Sequence, residues 1–118
     1  ELLNAQVLSA GDGYPHATAV SSVVAAPANA AGLIGVYPQA VLRSWDADAD
    51  GNLTTAHVIA GLDAAMKRGP GVINLSLGVA RSQVLEDIVN AAFGTGSLVV
   101  AAVSSHACFA FALSPEAS

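Results

Sequence analysis

A histidine stands where the chain passes from a turn-forming stretch to a run of small apolar residues. The turn is GDGYP at residues 11–15, and His16 directly precedes the run ATAVSSVVAA. This run predicts a buried helix that stops near Pro27, because proline lacks the amide hydrogen that a continuing helix needs. The helix would therefore begin with a titratable ring. A single histidine near a helix N-terminus is usually a surface residue, so its chemistry has to be judged from the rest of the chain.

A second chemical pattern is the acidic stretch DADADGNL at residues 46–53. Oxygen ligands at Asp46, Asp48 and Asp50, followed by a glycine and then a hydrophobic residue, match the first eight positions of an EF-hand-like calcium loop. Position 12 of such a loop is a bidentate glutamate, whereas this chain has His57, and imidazole is a poor calcium ligand. The sequence therefore favours a solvated turn, with weak calcium binding at the three aspartates as the alternative.

Composition limits what these residues can belong to. The chain has 118 residues, of which 53% are hydrophobic and 11% charged, and a net charge of −5. This composition predicts a folded chain with a real core and does not fit a disordered one. We expect a single domain over residues 1–118, with a loop or turn lead-in at 1–15 and a βα core at 16–118. Because the chain opens on glutamate and not methionine, we expect it to be a processed or excised piece.

The same composition excludes some partners. Only four lysines and arginines are present, so no basic stripe could neutralise phosphates, and we expect no nucleic acid partner. Gly, Ser, Asn and Pro interrupt every apolar run before it reaches the length that spans a bilayer, so we expect no membrane partner. One cysteine, Cys108, cannot form an internal disulfide, and three scattered histidines give no zinc spacing.

Helical and strand-like periodicities alternate along the chain and would position these residues. After the histidine helix, the pattern predicts a strand at 40–45, a helix at 53–68, a strand at 71–78, a helix at 82–93 and a strand at 97–103. This order predicts an α/β fold with an open, mostly parallel sheet and helices on both faces. Functional groups of such sheets lie at the carboxyl ends of the strands. The carboxyl ends of the predicted strands carry Asp46, the loop after Leu77 and the segment 103–105.

Four phrases, in order, resemble the subtilisin-like serine peptidases, the subtilases of peptidase family S8. HATAVSSVVAA is similar to the family's histidine helix, and GLIGVYPQAVLRSWDADADG to the turn and strand that follow it. VINLSLG is similar to the substrate-pairing strand, and SLVVAAVSS to the strand that leads to the oxyanion asparagine. The resemblance is collinear from about His16 to Pro115, and its order and spacing make it far more specific than any one phrase.

The resemblance implies part of a secreted serine endopeptidase domain in which His16 is the general base of peptide-bond hydrolysis. It also implies that Ser76, Leu77 and Gly78 pair with an extended polypeptide substrate through their backbone. The pocket for the residue before the scissile bond would then be lined by Ala101, Ala102 and Val103. Leu77 could equally be core. The polar Asn74 is unusual in a buried strand, and we expect it to bond to a neighbouring loop.

Departures from the family pattern set limits on activity. Ser105 takes the place of the oxyanion asparagine, and Ala17 replaces a glycine. Only 15 residues precede His16, which is too few for the family's upstream aspartate. Asp12 is interpreted as an acidic residue of a loop and not as that aspartate. No Gly-Thr-Ser phrase for the nucleophile occurs in the 118 residues. We therefore expect the chain to be inactive alone.

Two interpretations remain open. In one, the chain needs the remaining part of a peptidase domain as its partner, requires no cofactor, and self-associates when it is isolated from that part. In the other, the chain is a catalytically dead α/β module that binds an extended peptide or, weakly, calcium.

Overall fold

The computed structural model describes residues 3–4, 16–47 and 52–102, with residues 3–4 described by their backbone. The chain divides into two compact units, residues 1–46 and 47–118. The helices of the described ranges have 10 or 12 residues, and none of them is long and apolar enough to cross a membrane.

The first unit contains one helix and one pair of very short strands. Strand β1 is Leu3–Asn4, helix α1 is His16–Ala25, and strand β2 is Arg43–Ser44. The two strands pair antiparallel, with Leu3 opposite Ser44. The predicted strand at 40–45 shrinks to two residues, and β1 lies within the predicted lead-in. Two-residue strands are too short for alternation to reveal them in a sequence.

Helix α1 forms where the sequence predicts it, but the prediction that it is buried is wrong. None of its residues is buried, and the side chains from His16 to Ala19 are exposed. The run of small apolar residues gives the helix its conformation, whereas burial also requires another element to cover it. Within the first unit, no described element covers this helix fully.

The segment after α1 returns to the helix and satisfies its last carbonyl groups, which have no partner inside a helix. The amides of Gly35, Val36 and Tyr37 donate to the carbonyl oxygens of Ala26, Val23 and Val24, with N–O distances of 3.0, 2.9 and 2.9 Å. Gly35 is buried, and a Cβ atom added to it would lie 2.6 Å from the Ala25 nitrogen. Only glycine allows this close approach of the two backbones.

The second unit contains the alternating helices and strands that the sequence predicts. Helix α2 is Thr55–Met66, strand β3 is Val72–Leu75, helix α3 is Gln83–Gly94, and strand β4 is Leu98–Ala101. Each helix starts after a capping hydroxyl: Thr54 accepts from the His57 amide and Ser82 from the Leu85 amide, both at 3.2 Å. These bonds satisfy amides of the first turn.

Strands β3 and β4 pair in parallel, which confirms the predicted α/β class, although the sheet is small. Val72 lies opposite Leu98, and Leu75 lies opposite Ala101. Strand β3 is shorter than the predicted 71–78, because it ends at Leu75. The ladder closes where the Ala102 amide donates to the Leu75 carbonyl oxygen at 3.0 Å.

The core of the second unit lies on one face of this strand pair. Val58 and Leu62 of α2 and Leu85 and Val89 of α3 form a buried cluster, and side chains of both strands pack against it, namely Ile73, Leu75 and Val99. Successive residues of a strand point to opposite faces. The other face of the pair is accordingly exposed, and it carries Val72, Asn74, Leu98 and Val100.

Candidate functional site

The carboxyl ends of β3 and β4 bring together all of the predicted substrate-binding residues that the structure describes. Ser76, Leu77 and Gly78 directly follow β3, while Ala101 ends β4 and Ala102 comes next. The bond from the Ala102 amide to the Leu75 carbonyl oxygen joins the two chain segments at this point. Five of the six predicted residues thus lie at one edge of the sheet, where parallel sheets place their functional groups.

An open apolar pocket lies at the same edge. Its walls come from both helices, both strands and the segments that follow the strands, and the lining residues are Val58, Leu75, Leu77, Val79, Leu85, Val89, Val99, Ala101 and Ala102. Every one of these side chains is aliphatic. The cavity has a volume of about 30 Å³, which suits a group no larger than a methyl, and it offers no charged side chain to a polar group.

Leu77 has the core position that the sequence offered as one of its two roles. It is half-buried and packs against the core cluster, and it also lines the pocket. Sequence reasoning did not identify Val58 and Val79 as pocket residues. Their only signal is the apolar periodicity that they share with ordinary core positions.

Asn74 bonds to a loop residue, as the sequence predicts, but the strand face that carries it is exposed. It lies on the exposed face of β3 and not in a buried strand, and its Nδ2 donates to the Ser76 Oγ at 2.8 Å. The partner, Ser76, thus belongs to the segment that directly follows β3. The sequence signal for this bond is the two-residue spacing, which places both side chains on one side of an extended chain.

His16 is the first residue of α1, and its side chain is exposed. It belongs to the first unit, whereas the pocket belongs to the second. The remaining predicted residues of the catalytic region, Val103 and Ser105, lie outside the described residues.

The acidic turn is described only at its beginning. Asp46 is exposed, and Asp48 and Asp50 lie outside the described residues. The Nδ1 atom of His57, the residue that replaces the calcium-binding glutamate, lies 3.2 Å from the Ala47 carbonyl oxygen. Residues 16–47 and 52–102 contain no group of three or more His, Cys, Asp or Glu side chains that could hold a metal ion.

Two ion pairs between described residues lie on the surface of the second unit. Lys67, the residue after α2, contacts Asp63 of α2 at 2.6 Å, and Arg81 bonds to Glu86 in the first turn of α3. The hydrogen bond from Arg81 to the Glu86 carboxylate, and then the charge of that carboxylate, raise the pKa of Arg81. Exposed pairs of this kind contribute little to stability.

Comparisons with known proteins find similar sequences in one peptidase family. The model of the Subtilase family matches residues 8–106. Subtilisin BL from Lederbergia lenta is 42% identical over 96 residues, which cover 80% of this chain and 36% of the relative. Subtilisin Savinase from the same organism is 41% identical over the same shares of the two chains. An alkaline protease from Alkalihalobacillus alcalophilus is 41% identical, with 80% of this chain and 25% of the relative covered.

No solved structure matches the chain significantly. The chain spans only a quarter to about a third of the length of these curated relatives. The family match itself covers most of the chain and includes His16, the strand pair and the pocket residues. The chain therefore belongs to the subtilase family.

Proposed function

We propose that this chain is the part of a secreted subtilisin-like serine endopeptidase domain that supplies the general base and a substrate-pairing segment. The observation that carries the proposal is the collinear family match over residues 8–106. Within that match, His16 opens a helix and residues 76–78 leave a parallel strand beside an apolar pocket. Secretion is proposed from the family resemblance alone.

In the proposed mechanism His16 takes the proton of a nucleophilic serine and returns it to the leaving amine. The serine and the aspartate that orients the histidine come from elsewhere in the peptidase domain. The 118 residues by themselves therefore do not hydrolyse peptides. An extended polypeptide substrate pairs with the backbone of residues 76–78, and the side chain before the scissile bond contacts Ala101, Ala102 and Val103.

The residue at the oxyanion position is expected to lower the rate of this reaction. Ser105 takes the place of an asparagine side chain, and a serine hydroxyl is shorter and reaches less far. Losing one oxyanion donor costs about a hundred- to a thousandfold in rate. We therefore propose that the complete enzyme is slow, and that Ser105→Asn accelerates it.

Hydrolysis by the complete gene product tests the role of His16. His16→Ala should lower kcat/KM for a peptide substrate by about a hundred- to ten-thousandfold, since a general base contributes on that scale. His57→Gln removes a histidine from α2 and is the matched control, with an expected change of less than about threefold. Equal activities of the two variants would overturn the proposal. A complete product that binds peptides but never cleaves them would establish the alternative, a catalytically dead binding module.

Calcium is a separate proposal. No cofactor is needed for the chemistry above, and any binding at Asp46, Asp48 and Asp50 is weak because His57 stands at the closing position of the loop. Titration calorimetry should give a Kd of about a millimolar or weaker, like that of the weakest loops of this type. His57→Glu restores the clamp and should tighten binding. Identical titrations for the two proteins would contradict a calcium loop.

The proposed partners follow from the exposed apolar surface. Besides the polypeptide substrate, the chain binds the remaining part of its peptidase domain. Val72, Leu98 and Val100 are exposed on one face of the strand pair, and isolated chains with such faces associate. The isolated chain therefore self-associates, which sedimentation equilibrium measures directly.

A further inference from the structure

Asn74 is a polar residue on an otherwise apolar strand face. It lies opposite Val100 in the register of the parallel pair, and Val72 and Leu98 share its exposed face. Its Nδ2 donates to the Ser76 Oγ at 2.8 Å. This bond extends past the end of β3, since Asn74 is inside the strand and Ser76 is outside it.

The backbone ladder ends just before the segment 76–78. Its last bond joins the Ala102 amide to the Leu75 carbonyl oxygen, so the ladder fixes β3 up to Leu75. The bond from Asn74 then connects the next residue to the strand by a side chain. A segment that is held in its binding conformation before a peptide arrives loses less conformational entropy when the peptide binds.

We propose that Asn74 is a positioning residue for peptide recognition: its amide holds Ser76, and through it the segment 76–78, in the conformation that pairs with an extended polypeptide. The inference rests on the proposed function of that segment. Asn74 acts through Ser76 and need not touch the peptide itself.

The test measures peptide affinity in a complete gene product that carries His16→Ala, so that the peptide is not cleaved. The probe is the capped peptide acetyl-Ala-Ala-Ala-Leu-amide, titrated by calorimetry. Asn74→Ala should raise Kd about three- to tenfold, the scale of one lost hydrogen bond. Ser76→Ala should raise Kd at least as much, and Asn74→Ala should add little in the Ser76→Ala background, because the bond between them is already lost.

Matched variants separate positioning from general stability. Ser76→Thr restores a hydroxyl at this position and should therefore bind more tightly than Ser76→Ala, by up to the three- to tenfold of one hydrogen bond. Val72→Ala alters the same face of the same strand without touching a hydrogen bond, and it should leave Kd unchanged. Asn74→Leu keeps the volume of the side chain and replaces Asn74→Ala if that variant unfolds. The thermal midpoint of the variants used should match that of the parent.

The outcomes distinguish the two proposals. If the parent binds and Asn74→Ala binds as tightly as Val72→Ala, the inference is overturned and the proposed function stands. Additive effects of Asn74→Ala and Ser76→Ala would also overturn the inference. A parent that does not bind the peptide overturns the proposed function, and this inference with it.

Discussion

The two units of the chain show how similar apolar sequences reach different degrees of burial. Helix α1 is a run of small apolar residues with no buried side chain. Helices α2 and α3 carry spaced apolar residues, and Leu62, Leu85 and Ala92 among them are almost fully buried. An amphipathic stripe selects one face for a neighbouring layer, whereas a helix that is apolar on most sides has to be covered by several elements.

The two units should differ most in how much stability is lost when an apolar side chain is truncated to alanine. Leu62→Ala should destabilise the chain by about 2–5 kcal/mol, because it leaves a cavity in the core. Val23→Ala on α1, where the side chain is 58% exposed, should change stability by less than about 0.5 kcal/mol. Urea unfolding followed by circular dichroism measures both. Equal effects would mean that α1 has a core of its own.

A smaller effect tests the backbone contact that does hold α1. Gly35→Ala places a Cβ against the Ala25 backbone and should cost about 1–3 kcal/mol. The amides of Val36 and Tyr37 should then exchange faster with solvent. Gly71→Ala is the matched control, since nothing lies within 4 Å of the added Cβ. If Gly35→Ala left exchange of these amides unchanged, the return of this segment to α1 would not be the contact that secures it.

The smallest predicted effect is an increase in stability, at Ser97. Ser97 is 3% exposed, and its Oγ has no hydrogen-bond partner among the described residues. A buried hydroxyl without a partner costs desolvation energy, so Ser97→Ala should stabilise the second unit by up to about 1 kcal/mol. The hydroxyl of Ser22 in α1 donates to the Thr18 carbonyl oxygen, and Ser22→Ala should change stability by less than about 0.5 kcal/mol. Destabilisation by Ser97→Ala would reveal a hydrogen bond at this hydroxyl.

The sequence predicts the second unit well because its elements interact mainly with each other. The spacing of Val58 and Leu62, and of Leu85 and Val89, is sufficient to predict two helices and the faces that they bury. It also predicts that Ser76 and Ala101 meet at one edge, since parallel strands align their carboxyl ends.

Other features depend on contacts that periodicity does not encode. The strand β3 ends at Leu75, where its ladder with β4 ends, although apolar residues continue beyond it. Asn74 faces outward because the described helices of the second unit pack on the other face of the strand pair. The exposure of α1 has the same origin, since a sequence shows which side chains are apolar and not which elements cover them.

The most direct test of the account is amide hydrogen exchange with and without the capped peptide, in the complete gene product carrying His16→Ala. Backbone pairing predicts slower exchange at Ser76, Leu77 and Gly78 in the presence of peptide, with no change at Val36 and Tyr37. If the peptide slows exchange elsewhere and leaves residues 76–78 unchanged, the segment does not pair with a substrate, and the proposed function is contradicted.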